Sequence, residues 1–267
     1  MATREKIKLT SYNELLGVNN DMISEIDINK LHQFKDHPFS VVDNEKMLEL
    51  AKSIENNGIL SPLLVRPLGD GEYEIISGHR RKRACEITGK KKVSAIIKDI
   101  SHEEAIPLMV DANFQREDTL PSEKAKAYKM KMEALAHQGK SSDEMSSAKK
   151  IGQLAGISDR QVQRYIRLTE LIPELSKLVD DKQITFVLGV EISFLKTEYQ
   201  QLIYENICKG KKVSKDNVRM IRENQENLSL EEVSQILFAD KAKVQKKICN
   251  VTLKENKLSE FFDSTYT

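Results

Sequence analysis

The stretch AKKIGQLAGISDRQVQRYIRL, residues 148–168, constrains the fold more than any other part of the chain. Two short helices pack at a steep angle only with a small residue at their crossing, a glycine at the turn and apolar inner faces. Gly152 suits the crossing, Gly156 suits the turn, and Ser158 with Gln161 suits a capping box. The inward positions hold Ile151, Ala155, Ile157, Val162 and Tyr165. The stretch therefore predicts a helix-turn-helix.

The second helix of this motif has a polar outer face. Arginine and glutamine side chains make bidentate contacts to guanine and adenine in the major groove of DNA. Arg160, Gln163 and Arg164 are therefore predicted to read bases, and Arg167, nearer the helix end, is predicted to contact phosphate. The alternative is a helical hairpin with a solvated charged face. The expected DNA-binding residues are Ser158, Asp159, Arg160, Gln161, Gln163, Arg164 and Arg167.

Composition limits what the rest of the chain can be. Its 267 residues allow two or more small domains, and a net charge of +1 means that nucleic-acid contacts must come from local patches. The three cysteines lie far apart, which favours a reducing cytoplasm and argues against a zinc site. The polar start and the lack of a run of about 20 apolar residues indicate no signal peptide and no membrane span.

Short strands and helices are expected to alternate between residues 40 and 100. Met47, Leu50, Ala51 and Ile54 recur at helical spacing before Gly58, which predicts a helix. The runs PLLVRP, EYEIIS and KVSAII predict three strands, and RKRACEITG predicts a second helix. The expected fold class is α+β, with a small mixed α/β domain followed by an all-α helix-turn-helix domain and a helical C-terminal segment.

We expect four segments along the chain. Residues 1–35 form a polar arm with a short ordered piece at ISEIDINKL, and residues 36–120 form the mixed domain. Residues 121–225 form the helical domain, and residues 226–267 form a tail that could dimerise. The apolar face of that tail comprises Leu230, Val233, Ile236, Leu237 and Phe238.

The stretch ISGHRRKRAC, residues 76–85, passes from a strand through a glycine into a basic helix. A helix N-terminus presents free N–H groups, glycine lets an anion approach, and arginine forks suit phosphate oxygens. Gly78, Arg80 and Arg81 therefore predict a polyphosphate or nucleic-acid backbone site, against the alternative of a solvated basic helix. A second cluster, Asn113, Gln115 and Arg116, suits phosphate and metal-bound water, against the alternative of simple helix capping by Asn113 and Ser122.

These clusters, followed by the helix-turn-helix, resemble the ParB family of chromosome and plasmid partition proteins over residues 25–200. ISGHRRKRAC is similar to the family's GERRxRA box, and ANFQREDTLPSEKAKAY is similar to its ENxQREDLxPxEEAxAY box. LAKSIENNGILSPLLVRP resembles the opening helix–strand unit. The wording HPF, GHRR and ANFQRE is most similar to ParB-like proteins of plasmids and conjugative elements of Gram-positive bacteria.

The resemblance implies a nucleotide-binding domain that takes CTP with Mg2+, and a dimer that closes into a clamp sliding along DNA. It implies specific palindromic or centromere-like double-stranded DNA, a second copy of the chain and a ParA-type ATPase as partners. It also implies a cytoplasmic location on the nucleoid or plasmid, with the cytosine near residues 61–66. The implied nucleotide-binding residues are Pro62, Arg66, Gly78, His79, Arg80, Arg81, Asn113, Gln115 and Arg116, with Asn113 as the magnesium ligand.

Two departures from the family's boxes bear on catalysis. His79 and Ala112 stand where the family has glutamates, and Asp111 lies one residue early. Lost carboxylates predict nucleotide binding with weak or absent hydrolysis, so the chain is at most a weak CTPase with no catalytic residue assigned. One alternative is a helix-turn-helix regulator of a mobile element with a degenerate nucleotide site. Another is a sulfiredoxin-like enzyme, but Cys85 lies well inside a helix and is expected to be buried.

Overall fold

Five short strands form one mixed sheet in the computed structural model, which describes residues 23–114, 119–137 and 144–238. The strand order is β1-β5-β3-β4-β2. The central strand β3 runs parallel to β5 and antiparallel to β4. The strands are β1 (Ile23–Asp27), β2 (Leu31–His32), β3 (Leu63–Gly69), β4 (Glu72–Ser77) and β5 (Lys92–Ile97).

The three strands expected from apolar runs are β3, β4 and β5, and all three predictions are confirmed. The two edge strands, β1 and β2, lie in the segment expected to be an arm. Ile26 pairs with Val93 of β5, and Leu31 pairs with Tyr73 of β4. Ile26 and Leu31 are buried, which is why these short polar stretches join the sheet. A domain boundary at residue 36 is therefore too late for the sheet, which begins at Ile23.

Helices cover both faces of the sheet, because alternate residues of β3 enter two different hydrophobic clusters. Leu63 and Val65 pack with residues of α1 (Glu45–Asn57) and α2 (His79–Ile87). Leu64, between them, packs with residues of α3 (His102–Asp111) on the other face. Ser101 and Glu104 form a capping box at the start of α3. Pro107 lies inside α3 and does not delay its start.

The rest of the chain is helical, so the fold class is α+β as expected. The helices after the sheet are α4 (Pro121–His137), α5 (Glu144–Ala155), α6 (Asp159–Arg167), α7 (Pro173–Asp180), α8 (Phe186–Ile192), α9 (Thr197–Cys208), α10 (Lys215–Asn224) and α11 (Leu230–Phe238). Within the described part of the chain, no helix is long and apolar enough to cross a membrane.

Helices α5 and α6, called the helix pair below, pack as expected. Their core contains Ile151 and Val162 together with Tyr128 of α4. A Cβ on Gly152 would lie 2.6 Å from the Ile157 carbonyl oxygen, so the helices could not cross as closely with a larger residue there. The other expected inward residues, Ala155, Ile157 and Tyr165, pack against this core. The pattern therefore predicted the packing of the pair correctly.

The turn between α5 and α6 is built from a glycine and a capping serine. Gly156 has a φ of 69°, a conformation that favours glycine. The Ser158 hydroxyl accepts a hydrogen bond from the Gln161 N–H at 3.2 Å, which caps α6. This bond is half of the expected capping box, and the return bond from the Gln161 side chain to the Ser158 N–H does not form in the described structure.

The chain divides into two compact units, residues 1–200 and 201–267, with the division inside α9. In the second unit, α10 and α11 contact each other, and the Asn217 side-chain amide donates to the Ile236 carbonyl at 2.7 Å. Val233 and Leu237 are buried, while Leu230 is 47% exposed. Part of the face expected to dimerise is therefore buried within one chain. The Phe238 side chain and residues 239–267 lie outside the described part, and dimerisation there stays a prediction.

Candidate functional site

The turn between β4 and α2 requires glycine. Gly78 has a φ of 113°, and a Cβ there would lie 2.7 Å from Leu63 Cγ and 3.3 Å from a terminal nitrogen of Arg81. Gly78 is the N-cap of α2 but supplies no side-chain hydrogen bond to the first turn. The first N–H groups of α2 therefore keep the capacity to bind a ligand or water. An uncapped helix start behind a glycine turn suits an anion.

An open cavity of about 150 Å³ lies against this turn. It brings together five of the residues predicted from the two motifs. His37 and Val41, which precede α1, complete the wall. The stretch HPF, which contains His37, is similar to family sequences, but its local pattern does not predict that His37 contacts a turn some forty residues later in the chain. The predicted residues in the lining are Gly78, His79, Arg80, Arg81 and Asn113.

The two adjacent arginines have different roles in the structure. One terminal nitrogen of Arg81 donates hydrogen bonds to the carbonyl oxygens of Ser61 and, at 2.7 Å, Pro62. Arg81 therefore ties the glycine turn to the residues that lead into β3. Arg80 lines the same cavity and forms no hydrogen bond or ion pair with the described residues. Arg80 is thus the cation of this pair that remains available to an anion.

His79 contacts the segment that precedes α1. Its Nε2 accepts a hydrogen bond from the Phe34 N–H at 3.4 Å. The His79 and His37 rings lie 3.8 Å apart between centroids, and His37 Nδ1 hydrogen-bonds to the Phe39 carbonyl oxygen. Magnesium prefers oxygen ligands to imidazole nitrogens, so the two histidines are poor substitutes for a carboxylate at a magnesium site.

The segment that carries His37 is fastened to the start of α4. The Glu123 carboxylate accepts hydrogen bonds from both the N–H and the hydroxyl of Ser40, at 2.8 Å and 2.5 Å. It also accepts from the Leu120 N–H at 3.1 Å, which satisfies an N–H group at the beginning of α4. Glu123 is only 7% exposed. One buried carboxylate therefore joins a wall of the cavity to the helix that supports the helix pair.

Asn113 both caps a helix and lines the cavity. Its side-chain amide donates to the Met109 carbonyl oxygen at 2.8 Å, just beyond the end of α3. The capping alternative and the ligand interpretation are thus combined in one residue. Ser122 lies inside α4, where its N–H donates to Asp180, and it does not act as the expected N-cap. Gln115 and Arg116, the remaining predicted members of this cluster, lie outside the described residues.

Asp111 is committed to a neighbour on α4. Its carboxylate forms an ion pair with the Lys131 ammonium, which also lies 5.0 Å from the centre of the Phe114 ring. Burial raises the pKa of Asp111 and lowers the pKa of Lys131, while the attraction between them opposes both shifts. In the described parts of the chain, no three His, Cys, Asp or Glu side chains form a group that could hold a metal ion.

The resemblance implies a nucleotide and a magnesium ion, and the residues of the site fit these two ligands unequally. A glycine turn, an uncapped helix start and an available arginine fit the phosphates of a nucleotide. The protein part of a magnesium site does not fit equally well, because Asp111 is paired with Lys131 and Asn113 contributes only an amide. Magnesium prefers carboxylate and water oxygens, so the residues described here offer it little beyond Asn113.

Arg66 does not reach the cavity, contrary to expectation. Its Nε donates to the Glu74 carboxylate at 2.6 Å, and a terminal nitrogen lies 3.4 Å from Nδ1 of His102 at the start of α3. Glu74 is 4% exposed, so the buried carboxylate holds the arginine against the sheet. Pro62 likewise does not line the cavity, and its carbonyl accepts from Arg81 instead.

The outer face of α6 presents the polar side chains expected from the sequence. Arg160, Gln163 and Arg164 are exposed and form no hydrogen bond or ion pair with the described residues. Ser158, Asp159 and Gln161 lie in the first turn of the helix or cap it. The exposed face can therefore accept a ligand without first breaking internal bonds.

Arg167 is only partly exposed and bonds within the protein, and its contact with phosphate stays a prediction. Its terminal nitrogen donates to the Ser193 carbonyl oxygen at 2.8 Å, and its guanidinium lies 4.3 Å from the centre of the Phe194 ring. Both partners follow α8, so Arg167 fastens the end of α6 to a later part of the helical region. Nothing local in the sequence distinguishes such an arginine from an exposed one.

Comparison with known proteins identifies relatives of this chain. The ParB N-terminal domain matches residues 13–114. The chain is 39% identical over 141 residues to the chromosome-partitioning protein Spo0J of Thermus thermophilus, covering 53% of this chain and 48% of that protein. It is 43% identical over 107 residues to the chromosome-partitioning protein ParB of Myxococcus xanthus, covering 40% and 36%. The chain thus spans half or less of these two relatives.

A longer match extends beyond the sheet domain. The nucleoid occlusion protein of Oceanobacillus iheyensis is 30% identical over 213 residues, which cover 78% of this chain and 71% of that protein. Among solved structures, the C-terminally truncated ParB of Caulobacter crescentus complexed to the centromeric parS site covers 75% of this chain. That structure is 24% identical, with a TM-score of 0.46 and 99% of its chain matched.

Proposed function

The chain belongs to the ParB family, and from that premise we propose that it is a site-specific DNA-binding partition protein whose sheet domain binds CTP. The observation that carries the proposal is the cavity in which Gly78, His79, Arg80, Arg81 and Asn113 meet. Two motifs separated by some thirty residues both contribute to the lining of this one cavity, as expected of a nucleotide site. The names of the Thermus and Myxococcus relatives support partition as the role.

The residues of the cavity divide the work of binding. Gly78 admits the phosphates to the backbone, the start of α2 supplies N–H donors, and Arg80 supplies charge. Arg81 keeps residues 61–62 in place beside them through its two hydrogen bonds to carbonyl oxygens. Bound nucleotide would supply the interactions that favour a closed dimer over an open one. A magnesium ion would rely mainly on phosphate and water oxygens, with Asn113 as the protein ligand.

DNA recognition is proposed for α6. Its exposed Arg160, Gln163 and Arg164 carry the side chains that suit base edges in the major groove. Gly152 and Gly156 allow α5 to cross α6 closely, as in helix-turn-helix proteins that place the second helix in that groove. A homodimer and a ParA-type ATPase are the proposed protein partners, and association with a nucleoid or plasmid is the proposed location.

Calorimetry with CTP, ATP and GTP tests the nucleotide part of the proposal. We expect the protein to bind CTP in preference to the other two nucleotides, and Arg80→Ala to weaken CTP binding by about tenfold or more. Lys82→Ala is the matched control. It removes the same charge from the same helix, but Lys82 forms an ion pair with Glu86 at 3.2 Å and does not line the cavity. No binding by the wild type, or equal losses in both variants, would contradict the proposal.

A second candidate is a regulator or nucleoid occlusion protein of the same family. The long match to the nucleoid occlusion protein of Oceanobacillus iheyensis favours it, and so does His79, which lines the cavity at the position of a family glutamate. Stimulation of a ParA-type ATPase encoded beside this gene would support partition. Specific DNA binding without any such stimulation would support the second candidate.

A further inference from the structure

Lys131 is buried in the middle of α4. It is 2% exposed, although it lies in a lysine-rich part of the helix whose sequence is typical of an exposed face. Burying an ammonium group is costly unless a counter-charge and a precise set of contacts compensate for it. A hydrophobic residue would fill the same space without that cost. The presence of lysine at this position therefore calls for a role beyond packing.

The partners of Lys131 lie on both sides of Asn113. The ammonium pairs with Asp111, two residues before Asn113, and lies 5.0 Å from the ring of Phe114, the next residue. The turn that ends α3 is thus held at two points by one side chain from α4. Asn113 itself lies between those points, where its amide reaches Met109 and its side chain lines the cavity.

The same turn is also fixed from one helical turn earlier in α4. The Phe114 ring lies 5.5 Å from the Tyr128 ring, and Tyr128 packs with Ile151 and Val162 in the core of the helix pair. The Asn113 turn therefore rests on a part of α4 that the helix pair supports from the other side. We therefore expect a substitution of Lys131 to change the position of Asn113 while the contacts of Tyr128 with the helix pair remain.

We propose that Lys131 is a positioning residue for the nucleotide site, because it fixes the turn that presents Asn113 to the cavity. This inference rests on the proposed nucleotide binding. Lys131 does not line the cavity and lies on α4, not α6, so we expect its effect on binding to act through Asp111 and Phe114. A purely structural ion pair would affect only the stability of the fold.

The two roles can be separated by replacing one or both partners. Lys131→Met alone leaves Asp111 without its counter-charge and should lower the melting temperature. Lys131→Met with Asp111→Leu replaces the pair by apolar side chains, which often restores stability or improves it. Lys129→Met is the control on the same helix, since Lys129 forms an exposed pair with Glu170 at 3.4 Å.

The experiment measures melting temperature, CTP affinity and affinity for a specific DNA site for all three variants. We expect the double variant to melt near the wild type but to bind CTP about tenfold more weakly, with DNA affinity in the absence of nucleotide unchanged. In nitrogen-15 spectra, the Asn113 side-chain amide signals should shift in the double variant and stay in place in Lys129→Met. Should the double variant not fold, Asp111→Asn provides the same readouts.

Recovery of both stability and wild-type CTP affinity in the double variant would overturn the proposal and leave the pair a structural role. The same holds if the Asn113 signals do not move. Absence of CTP binding by the wild type would overturn the proposed nucleotide function itself, and this inference with it. Wild-type binding with unchanged double-variant binding would overturn this inference alone.

Discussion

Single residues decide how closely an anion can approach the start of α2. Gly78 combines a backbone conformation that favours glycine with a neighbour, Leu63, in the space where a side chain would begin. The next three residues make different contacts. His79 accepts a hydrogen bond from Phe34, Arg80 lines the cavity without an internal partner among the described residues, and Arg81 donates to backbone carbonyl oxygens. Removing one of these side chains should therefore not have the same effect as removing another.

Gly78→Ala should destabilise the protein by about 1–3 kcal/mol and abolish tight CTP binding, because it adds both backbone strain and a clash with Leu63. Gly89→Ala is the matched control. Gly89 also has a positive φ, 68°, but a Cβ there meets no atom within 4 Å. Denaturant unfolding and calorimetry measure both effects. Equal loss of CTP affinity in the two variants would refute the role of close approach at Gly78.

Hydrolysis should be weak or absent in this chain. His79 and Ala112 replace the carboxylates of the resembling family, and the nearby Asp111 is paired with Lys131. A phosphate-release assay with CTP, magnesium and specific DNA should show little turnover by the wild type. The variant with both His79→Glu and Ala112→Glu should release more phosphate. Turnover by the wild type at least as fast as by that variant would refute this account.

At the scale of elements, α6 is presented by a packed core and fastened at both ends. Ser158 caps its start, and Arg167 ties its end to the Ser193 carbonyl and the Phe194 ring. The exposed residues between them can therefore read DNA from a fixed frame. Under the proposal, Arg160, Gln163 and Arg164 contact DNA, while Ser158 and Arg167 orient the helix.

Arg164→Ala should weaken specific DNA binding by about 1–3 kcal/mol and relax the sequence preference at one position, because it removes a base contact. Its CTP affinity should change little. Titrations with specific DNA and with CTP measure the two effects. Equal losses of DNA and CTP affinity would refute the separation of the two sites.

Arg167→Met should lower stability and weaken specific DNA binding while leaving its salt dependence unchanged. A residue that contacts phosphate would instead reduce the slope of log affinity against log salt by about one. DNA titrations at several salt concentrations distinguish the two results. A slope reduced by about one would restore the sequence-based assignment of Arg167 to a phosphate contact.

Local patterns predicted the elements better than they predicted the partners of charged side chains. Strands β3, β4 and β5 and the helix pair follow from apolar spacing and glycine positions, which act over a few residues. The sequence predicted a short ordered piece at ISEIDINKL but not its two edge strands, because these are short and gain stability from pairing with β4 and β5. Their burial is decided by distant segments, which a window of local sequence does not contain.

The partners of charged side chains also depend on distant segments, which local sequence does not predict. A lysine in an amphipathic helix is usually exposed, yet Lys131 is buried, where it forms an ion pair with Asp111 on the preceding helix. Arg66 and Arg167 were assigned to ligands, but Glu74 and Ser193 hold them. The cluster around Gly78 was predictable since a strand, a glycine and a helix start are adjacent in sequence. The addition of His37 to that cluster was not.

At the scale of the whole molecule, the cavity proposed to bind nucleotide and the helix pair proposed to read DNA are both connected to α4. Glu123 connects Ser40, which lies between the lining residues His37 and Val41, to α4, and Tyr128 of α4 packs into the helix pair. Both proposed ligands therefore contact structures that share one helix. If the chain acts as a clamp, CTP should change how the dimer holds DNA as well as how strongly it binds.

Retention on closed DNA tests that central claim most directly. The protein is loaded with CTP onto DNA circles that carry a specific site selected from random sequence, and the circles are then washed at high salt. We predict that the protein stays on closed circles with CTP and is released when the circles are cut, and that Arg80→Ala is not retained. Equal retention with and without CTP, or retention that survives cutting, would contradict the account.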